Sequence, residues 1–423
     1  MDKKKIFLVS LGHLSCDVNG GALPALLPFL IAAYGFNYQA AAGLMFAYSC
    51  FASVIQPVFG YLSDRFSKPW FIPLGVLLAG GGVAASGFLN AYWAIFAVFA
   101  LSGIGSSLFH PEGARFANKV SGASKGTGLS LFSIGGNSGF VLGPLLAAAS
   151  VSHFGMHGTA VFGLIALATS AILLYQIAHL SKTAGTAAGR SANAPEEPGS
   201  NNWREFSKLT VVIISRSILF VGLTTFIPLY WIYFFETMTA SGTALPSDGG
   251  TLAGIGNTIG WHAAHWMQLL FGGSKTAGAA ALTFFCVFGV LSNFVGGYLS
   301  DRLGYLRIIR VSYLVLIPAI IAFGFVDNQF AALALLLPLG FSLYAPFSSL
   351  VVLGQKYLAR NIGFASGVTL GLATSMGGIF APVLGWIADT HGLPAAIRCM
   401  SVVAVLGALF AFRLTPSRAT SGA

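Results

Sequence analysis

The feature that most limits this chain is a recurring one: apolar runs of about twenty residues or more, separated only by short polar stretches. A helix needs about 20 such residues to cross the hydrocarbon core of a bilayer. Twelve runs qualify, near 6–34, 40–62, 70–89, 92–117, 125–150, 158–180, 207–235, 276–299, 306–326, 329–356, 361–388 and 394–412. Backbone polar groups cannot stay unpaired in lipid, and the alternation of a barrel strand is absent, so each run is expected to be a helix. Charge content agrees, since 8% of the 423 residues are charged, against about 25% in soluble domains. The expected fold is an all-α membrane protein with twelve transmembrane helices in two six-helix bundles.

The cations give the expected orientation. With the N-terminus in the cytoplasm, eighteen Lys and Arg fall on that side and Lys275 alone on the other. That bias follows the positive-inside rule and places both termini in the cytoplasm. The net charge of +10 is therefore spread through loops as topology signals, not gathered into a face for nucleic acid. Cys16, Cys50, Cys286 and Cys399 sit singly in apolar stretches, so neither a disulfide framework nor a zinc site is expected. Met1-Asp-Lys-Lys-Lys leads into a run too long for the core of a cleavable leader, so the first span is expected to be retained. Residues 181–205 have linker composition and divide the spans six and six, giving bundles 1–180 and 206–423, with an outer insertion at 236–275.

Two matches at nearly one offset point to duplication. GYLSDR occurs at 60–65 and again at 297–302, 237 residues on. Gly139-x-x-x-Gly143-Pro144 is matched by Gly378-x-x-x-Pro382, with the prolines 238 apart. Parallel repeats of this kind are a secondary-transporter architecture. GYLSDRFSKPW and GYLSDRLGYLR resemble the loop signature of the major facilitator superfamily, and the Gly-x-x-x-Gly-Pro element is similar to one found in its exporters. More narrowly, LFHPEGARFA (108–117) and SRSILFVGLTTFIPLYW (215–231) resemble the fosmidomycin-resistance branch. The resemblance implies proton-driven efflux of small anionic or drug-like compounds. Tyr305 and Leu306 depart from the signature, where a basic residue is usual, and so does the insertion 236–275.

In the loops, Gly60 and Gly297 would let helices pack closely, Asp64 and Asp301 would accept hydrogen bonds from a helix N-terminus, and Arg65 and Arg302 would pair with acids or headgroups. Together they are expected to latch the cytoplasmic side, the alternative being a solvated turn. Gly139, Gly143 and Pro144 are expected to bend a helix where the halves meet, the alternative being an ordinary kink.

An ionisable side chain at depth costs several kcal/mol, so those inside spans are candidates for function. Asp17 in the first span and His110, Glu112 and Arg115 in the fourth stand out, with Arg216 in the seventh. The resemblance places these helices around a central cavity. Asp17 is the leading proton-coupling residue, against structural polar packing. His110 is a relay or a plain hydrogen-bonded residue, and Glu112 either couples or forms an i,i+3 pair with Arg115. His13, one turn before Asp17, reads as structural. Arg216 can fork onto a phosphonate, phosphate or carboxylate, or serve as a counter-ion to Asp17. If both hold in turn, proton and cargo compete for one electrostatic site.

Arg115, Asp17, Thr225, Tyr230 and Tyr344 complete the expected substrate pocket, with Thr224, Phe226, Trp231, Phe347, Ser348 and Ser349 as further lining. His262 and His265 in the insertion lack a third ligand there, so no metal or other cofactor is expected. Expected partners are a small-molecule substrate, protons and membrane lipid, for a monomer in the inner membrane. The second reading is a proton-coupled importer of a sugar or organic anion on the same fold. An embedded enzyme would need a nucleophile–base or metal constellation, and no HExxH or GxSxG occurs.

Overall fold

The computed structural model of the chain describes residues 1–56, 59, 70–122, 124–181, 200–240, 273–326 and 329–416. Among these residues there are thirteen α-helices, one short 3-10 turn and no strand. The first six are α1 (Lys3–Tyr34), α2 (Tyr38–Val54), α3 (Phe71–Ser86), α4 (Tyr92–Val120), α5 (Lys125–Phe154) and α6 (Ala160–Ser181). The others are α7 (Trp203–Ala240), α8 (Ser274–Leu303), α9 (Tyr305–Phe323), α10 (Gln329–Tyr344), α11 (Phe347–Tyr357), α12 (Ile362–His391) and α13 (Leu393–Phe412).

Among the described residues each apolar run is thus found as helix, and the tenth is broken. The tenth run is split into α10 and α11 at Ala345-Pro346. Proline has no amide hydrogen to donate and its ring crowds the preceding turn. Helical bonding resumes when Leu350 N–H donates to Pro346 O at 2.9 Å. Helix α7 is longer than its run at both ends, taking the last residues of the expected linker and the first of the expected insertion. Residues 182–199 of the linker and 241–272 of the insertion, His262 and His265 included, lie outside the described residues, as do Gly60, Asp64 and Arg65.

Small residues decide which helices touch. Gly135, Gly139 and Gly143 on α5 lie against the main chain of α1, where a Cβ at 139 would stand 2.6 Å from Val18 N and one at 143 would stand 2.6 Å from Ala22 N. Only glycine allows backbones this close. Gly139 and Gly143 thus seat α5 on α1 of their own half. The second copy behaves differently. Gly378 on α12 faces Ser49 on α2, and Gly385 faces the main chain of Tyr38 and Gln39, so that helix pair joins the two halves. A second junction pairs α5 with α8, where Thr283 Oγ1 donates to Val141 O at 3.4 Å.

The junction is fastened at the end of the molecule where α1 gives way to α2. There Asp389, near the end of α12, accepts the main-chain N–H groups of Tyr38 and Gln39, each at 2.8 Å. Lys275 Nζ at the start of α8 lies 5.3 Å from the ring of Phe29 on α1. At the opposite end the chain termini are tied down. Asp2 N–H donates to Val120 O at 2.9 Å, and Arg310 and Tyr357 donate to Leu414 O and Thr415 O, each at 2.6 Å.

Candidate functional site

His13 and Asp17 are four residues apart on α1, one helical turn, so they share a face. That face meets α5, where Gly136 leaves a gap; a Cβ there would sit 2.7 Å from Asp17 Oδ2 and collide with His13 Nε2. His110 arrives from α4. Asp17 Oδ2 lies 3.2 Å from His13 Nε2, and Asp17 Oδ1 lies 3.1 Å from His110 Nε2. Each carboxylate oxygen therefore meets one imidazole.

The far nitrogen of each ring is also engaged. His13 Nδ1 lies 2.8 Å from Phe132 O on α5, and His110 Nδ1 lies 2.7 Å from Ser106 O in its own helix. The His13 ring is stacked on Phe132 at 4.0 Å and stands edge-on to His110 at 5.1 Å. Asp17 and His13 are buried, at 5% and 8% exposure. His110 is the open member, its side chain 27% exposed. The three ligand atoms fall within 4.8 Å of one another, close enough to be weighed as a metal site. One oxygen for each ring is, however, the arrangement of a carboxylate between two N–H donors, whereas chelation turns all donors toward one point.

Arg216 forms a second, separate centre. Its side chain is 6% exposed, its Nε donates to Leu343 O at 2.5 Å, and its guanidinium lies over the rings of Phe220 at 5.6 Å and Phe347 at 5.2 Å. Among the described residues no carboxylate pairs with it. The counter-ion reading is thereby corrected: the partners of Asp17 are two histidines, which sequence spacing could suggest only for His13. Phe220, one turn along from Arg216, belongs to this centre and was not anticipated.

The other expected residues divide. Tyr344 borders the arginine centre, its ring 5.2 Å from Phe220 and its hydroxyl 3.8 Å from Cys286 Sγ. Thr225 and Tyr230 do not line an open space here. Thr225 is fully buried and its hydroxyl returns to Val221 O at 2.6 Å, while Tyr230 packs on Phe234 and Phe323. Thr224, Phe226 and Trp231 are likewise buried, because α7 is enclosed along this stretch. Glu112 is buried, with Arg115 Nη1 3.9 Å away at the i+3 position. In the second loop copy Asp301 accepts the Tyr305 hydroxyl at 3.4 Å, and the Arg302 guanidinium lies 4.5 Å from the Tyr298 ring. Those partners lie in the same half, and in place of Gly297 it is Gly296 that meets a neighbouring backbone, at Ala345.

A helical bundle too apolar for water, joined chiefly across two helix pairs and holding a buried acid and a buried base apart, has the make-up of a multi-pass membrane transporter for small molecules. The comparisons agree. A sequence model of the Major Facilitator Superfamily matches residues 9–369, and the chain belongs to that family. It is 28% identical over 410 residues to the fosmidomycin resistance protein of Escherichia coli (strain K12), covering 96% of this chain and 91% of that protein. It is 27% identical over 404 residues to the uncharacterized MFS-type transporter YfnC of Bacillus subtilis (strain 168), with the same coverage. Among solved structures it resembles a bacterial homolog of the human lysosomal transporter Spinster in an inward-facing and occupied conformation, with TM-score 0.72, 14% identity and coverage of 97% and 96%. The fold is accordingly that of the superfamily, twelve transmembrane spans in two bundles, the tenth span being the broken α10–α11 pair.

Proposed function

We propose that the protein is a proton-driven antiporter that exports a small anionic compound by alternating access. The observation that carries this reading is Arg216, a buried guanidinium with a carbonyl and two ring faces as partners. Burying a cation without an acid is costly. The cost is relieved when an anion binds, and a planar fork suits a phosphonate or carboxylate best. The resistance relative supports efflux and makes a fosmidomycin-type phosphonate the first compound to try. The second half of the reading rests on the His13–Asp17–His110 cluster, an acid buried between two imidazoles.

In this reading Asp17 with His110 carries the driving protons, Glu112 stays with Arg115, and Arg216, Phe220 and Tyr344 hold cargo. The bundles 1–180 and 206–423 rock about the α2–α12 and α5–α8 junctions, with 181–205 as the tether. Both termini face the cytoplasm, so the Asp389 fastening closes the outer side. The protein works as a monomer in the inner membrane, with lipid and a small-molecule substrate as partners.

Proteoliposomes loaded with fosmidomycin and given a pH gradient test this directly. Wild type is expected to move the compound against its gradient, and Asp17→Asn to abolish the proton-driven part while substrate binding survives. Arg216→Ala is expected to weaken binding roughly 10- to 100-fold, from one or two charge-assisted bonds worth about 1.5–3 kcal/mol each. Normal proton exchange by Asp17→Asn would refute the assignment. Increased fosmidomycin sensitivity of an overexpressing host would indicate uptake instead.

A further inference from the structure

Three features hold more chemistry than the reading above uses: the basic hollow at Arg307, Arg310 and Lys356, the Asp389 fastening, and the bonding of the two histidines. Only the third fixes a chemical count. A main-chain carbonyl can accept a hydrogen bond and cannot donate one. His13 Nδ1 must therefore carry the hydrogen in its bond to Phe132 O, and His110 Nδ1, 2.7 Å from Ser106 O and 3.3 Å from the Ser106 hydroxyl, carries one toward the nearer carbonyl. With Nδ1 so committed, a neutral ring would turn an Nε2 lone pair toward Asp17. Each Nε2 instead lies within hydrogen-bond distance of its own carboxylate oxygen, at 3.2 Å and 3.1 Å. Both contacts are bonds only when two hydrogens lie between the rings and the carboxyl; the carboxyl can hold one at most, and an imidazole is the stronger base, so both rings carry a hydrogen at Nε2.

We infer that the cluster holds two exchangeable protons, one on Nε2 of His13 and one on Nε2 of His110, with Asp17 as their shared counter-ion, and that the transporter exchanges two protons per cycle. This rests on the antiport reading and adds His13 as a second proton carrier. Loaded, the cluster has a net charge of +1. Losing either proton breaks one N–H···O bond and sets two lone pairs face to face. A ring cannot turn away without giving up its carbonyl. Unloading the His13 arm thus loosens α1 from α5, and unloading the His110 arm loosens α1 from α4. His110 exchanges first, being the more open ring.

Among the described residues no further charged side chain pairs with the carboxylate. Cys16 on α1 and Tyr48 on α2 bring a thiol and a hydroxyl to its neighbourhood, and the Ser106 hydroxyl on α4 lies 3.3 Å from His110 Nδ1. From α5 come Phe132 and Gly136, Glu112 on α4 has Arg115, and Arg216 on α7 is bound to Leu343 O.

Nitrogen-15 NMR of histidine-labelled protein in nanodiscs reads the count without any substrate, His13→Gln and His110→Gln assigning the signals. Two rings protonated at both nitrogens in acid, each losing Nε2–H as pH rises, and both neutral in Asp17→Asn, is the expected result. One charged ring or none would overturn the inference, as would two rings that stay charged from pH 5 to pH 9. In proteoliposomes with the membrane potential clamped at zero, the limiting fosmidomycin gradient should change about a hundredfold per pH unit, and about tenfold in His13→Gln, since each proton contributes one factor of ten. Should His13→Gln fold poorly, Gly136→Ala breaks the same arm and is expected to give the tenfold slope. A tenfold slope in wild type overturns the two-proton cycle and leaves antiport standing. A zero slope with two titrating rings refutes antiport and leaves the proton count standing.

Discussion

The fastening between α2 and α12 gives a prediction whose size follows from its geometry. Asp389 accepts two main-chain N–H groups at 2.8 Å, both at the N-terminus of α2, where unpaired donors and the helix dipole favour an anion. In Asp389→Ala both bonds go. Because the carboxylate is exposed, freed N–H groups find water, so each bond is worth about 0.5–1 kcal/mol, and the dipole adds roughly 0.3–1 kcal/mol. The sum is about 1.3–3 kcal/mol, a shift of roughly 10- to 100-fold toward separation of the halves at that end. Asp389→Asn keeps one acceptor oxygen and should shift the balance by about half that energy. Nitroxides at Phe88 and His391, with Cys50 and Cys399 replaced by Ser, would report the distance across this end by pulsed electron paramagnetic resonance. The order of the separated population should be wild type, then Asp389→Asn, then Asp389→Ala. An unchanged distribution in Asp389→Ala would refute the reasoning, because a fastening that can be removed at no cost holds nothing.

Other substitutions test other joints. Gly143→Ala puts a methyl 2.6 Å from Ala22 N, on main chain that cannot yield, and should destabilise the protein by about 1–3 kcal/mol in detergent unfolding. Gly81→Ala, with open space at the same position in α3, should be neutral or better in that assay. Glu205 accepts Lys208 Nζ at 2.6 Å and Thr415 N–H at 2.9 Å, so Glu205→Ala should raise hydrogen exchange at Thr415 by roughly tenfold, for about 1.4 kcal/mol lost, while Arg310 and Tyr357 still hold the tail.

How much of this could be read from the residues depends on the range of each interaction. The spans were legible because a bilayer sets one length and leaves a helix no alternative. The break at Ala345-Pro346 was marked by its proline, yet a kink and a break look alike in sequence. His13 and Asp17 were visible as an i,i+4 pair, and Phe220 could have been paired with Arg216 on the same spacing. What closes both centres is not visible. Phe132 O and Leu343 O are main-chain atoms, identical in every residue type, and only the folded chain brings them to a ring or a guanidinium. The duplicated Gly-x-x-x motif shows the same limit. Its two copies allow close approach, but the helix that approaches is α1 for Gly139 and α2 for Gly378. Asp389 is an acid at a helix end, unremarked until its partner 351 residues away is known.

The separation of the two charged centres changes what antiport would mean here. Were proton and anion to compete for a single site, acid would displace the anion and the apparent affinity would follow pH. With Asp17 held by two rings and Arg216 by Leu343 O, neither group is the other's partner. Coupling would then have to pass through helix position, the loaded cluster fastening α1 to α4 and α5 while the anion gathers α7 and α11 around Arg216. Linkage of that kind lets both ligands bind at once and leaves the two affinities nearly independent within one conformation. The expected outcome is that fosmidomycin binding to protein locked with the α2–α12 end closed, by a disulfide between cysteines at Gln39 and Gly385, changes less than about threefold between pH 6 and pH 8, a difference under about 0.7 kcal/mol. Direct competition for one site predicts close to a tenfold change per pH unit over the titrating range. A tenfold change in the locked protein would restore the single-site mechanism.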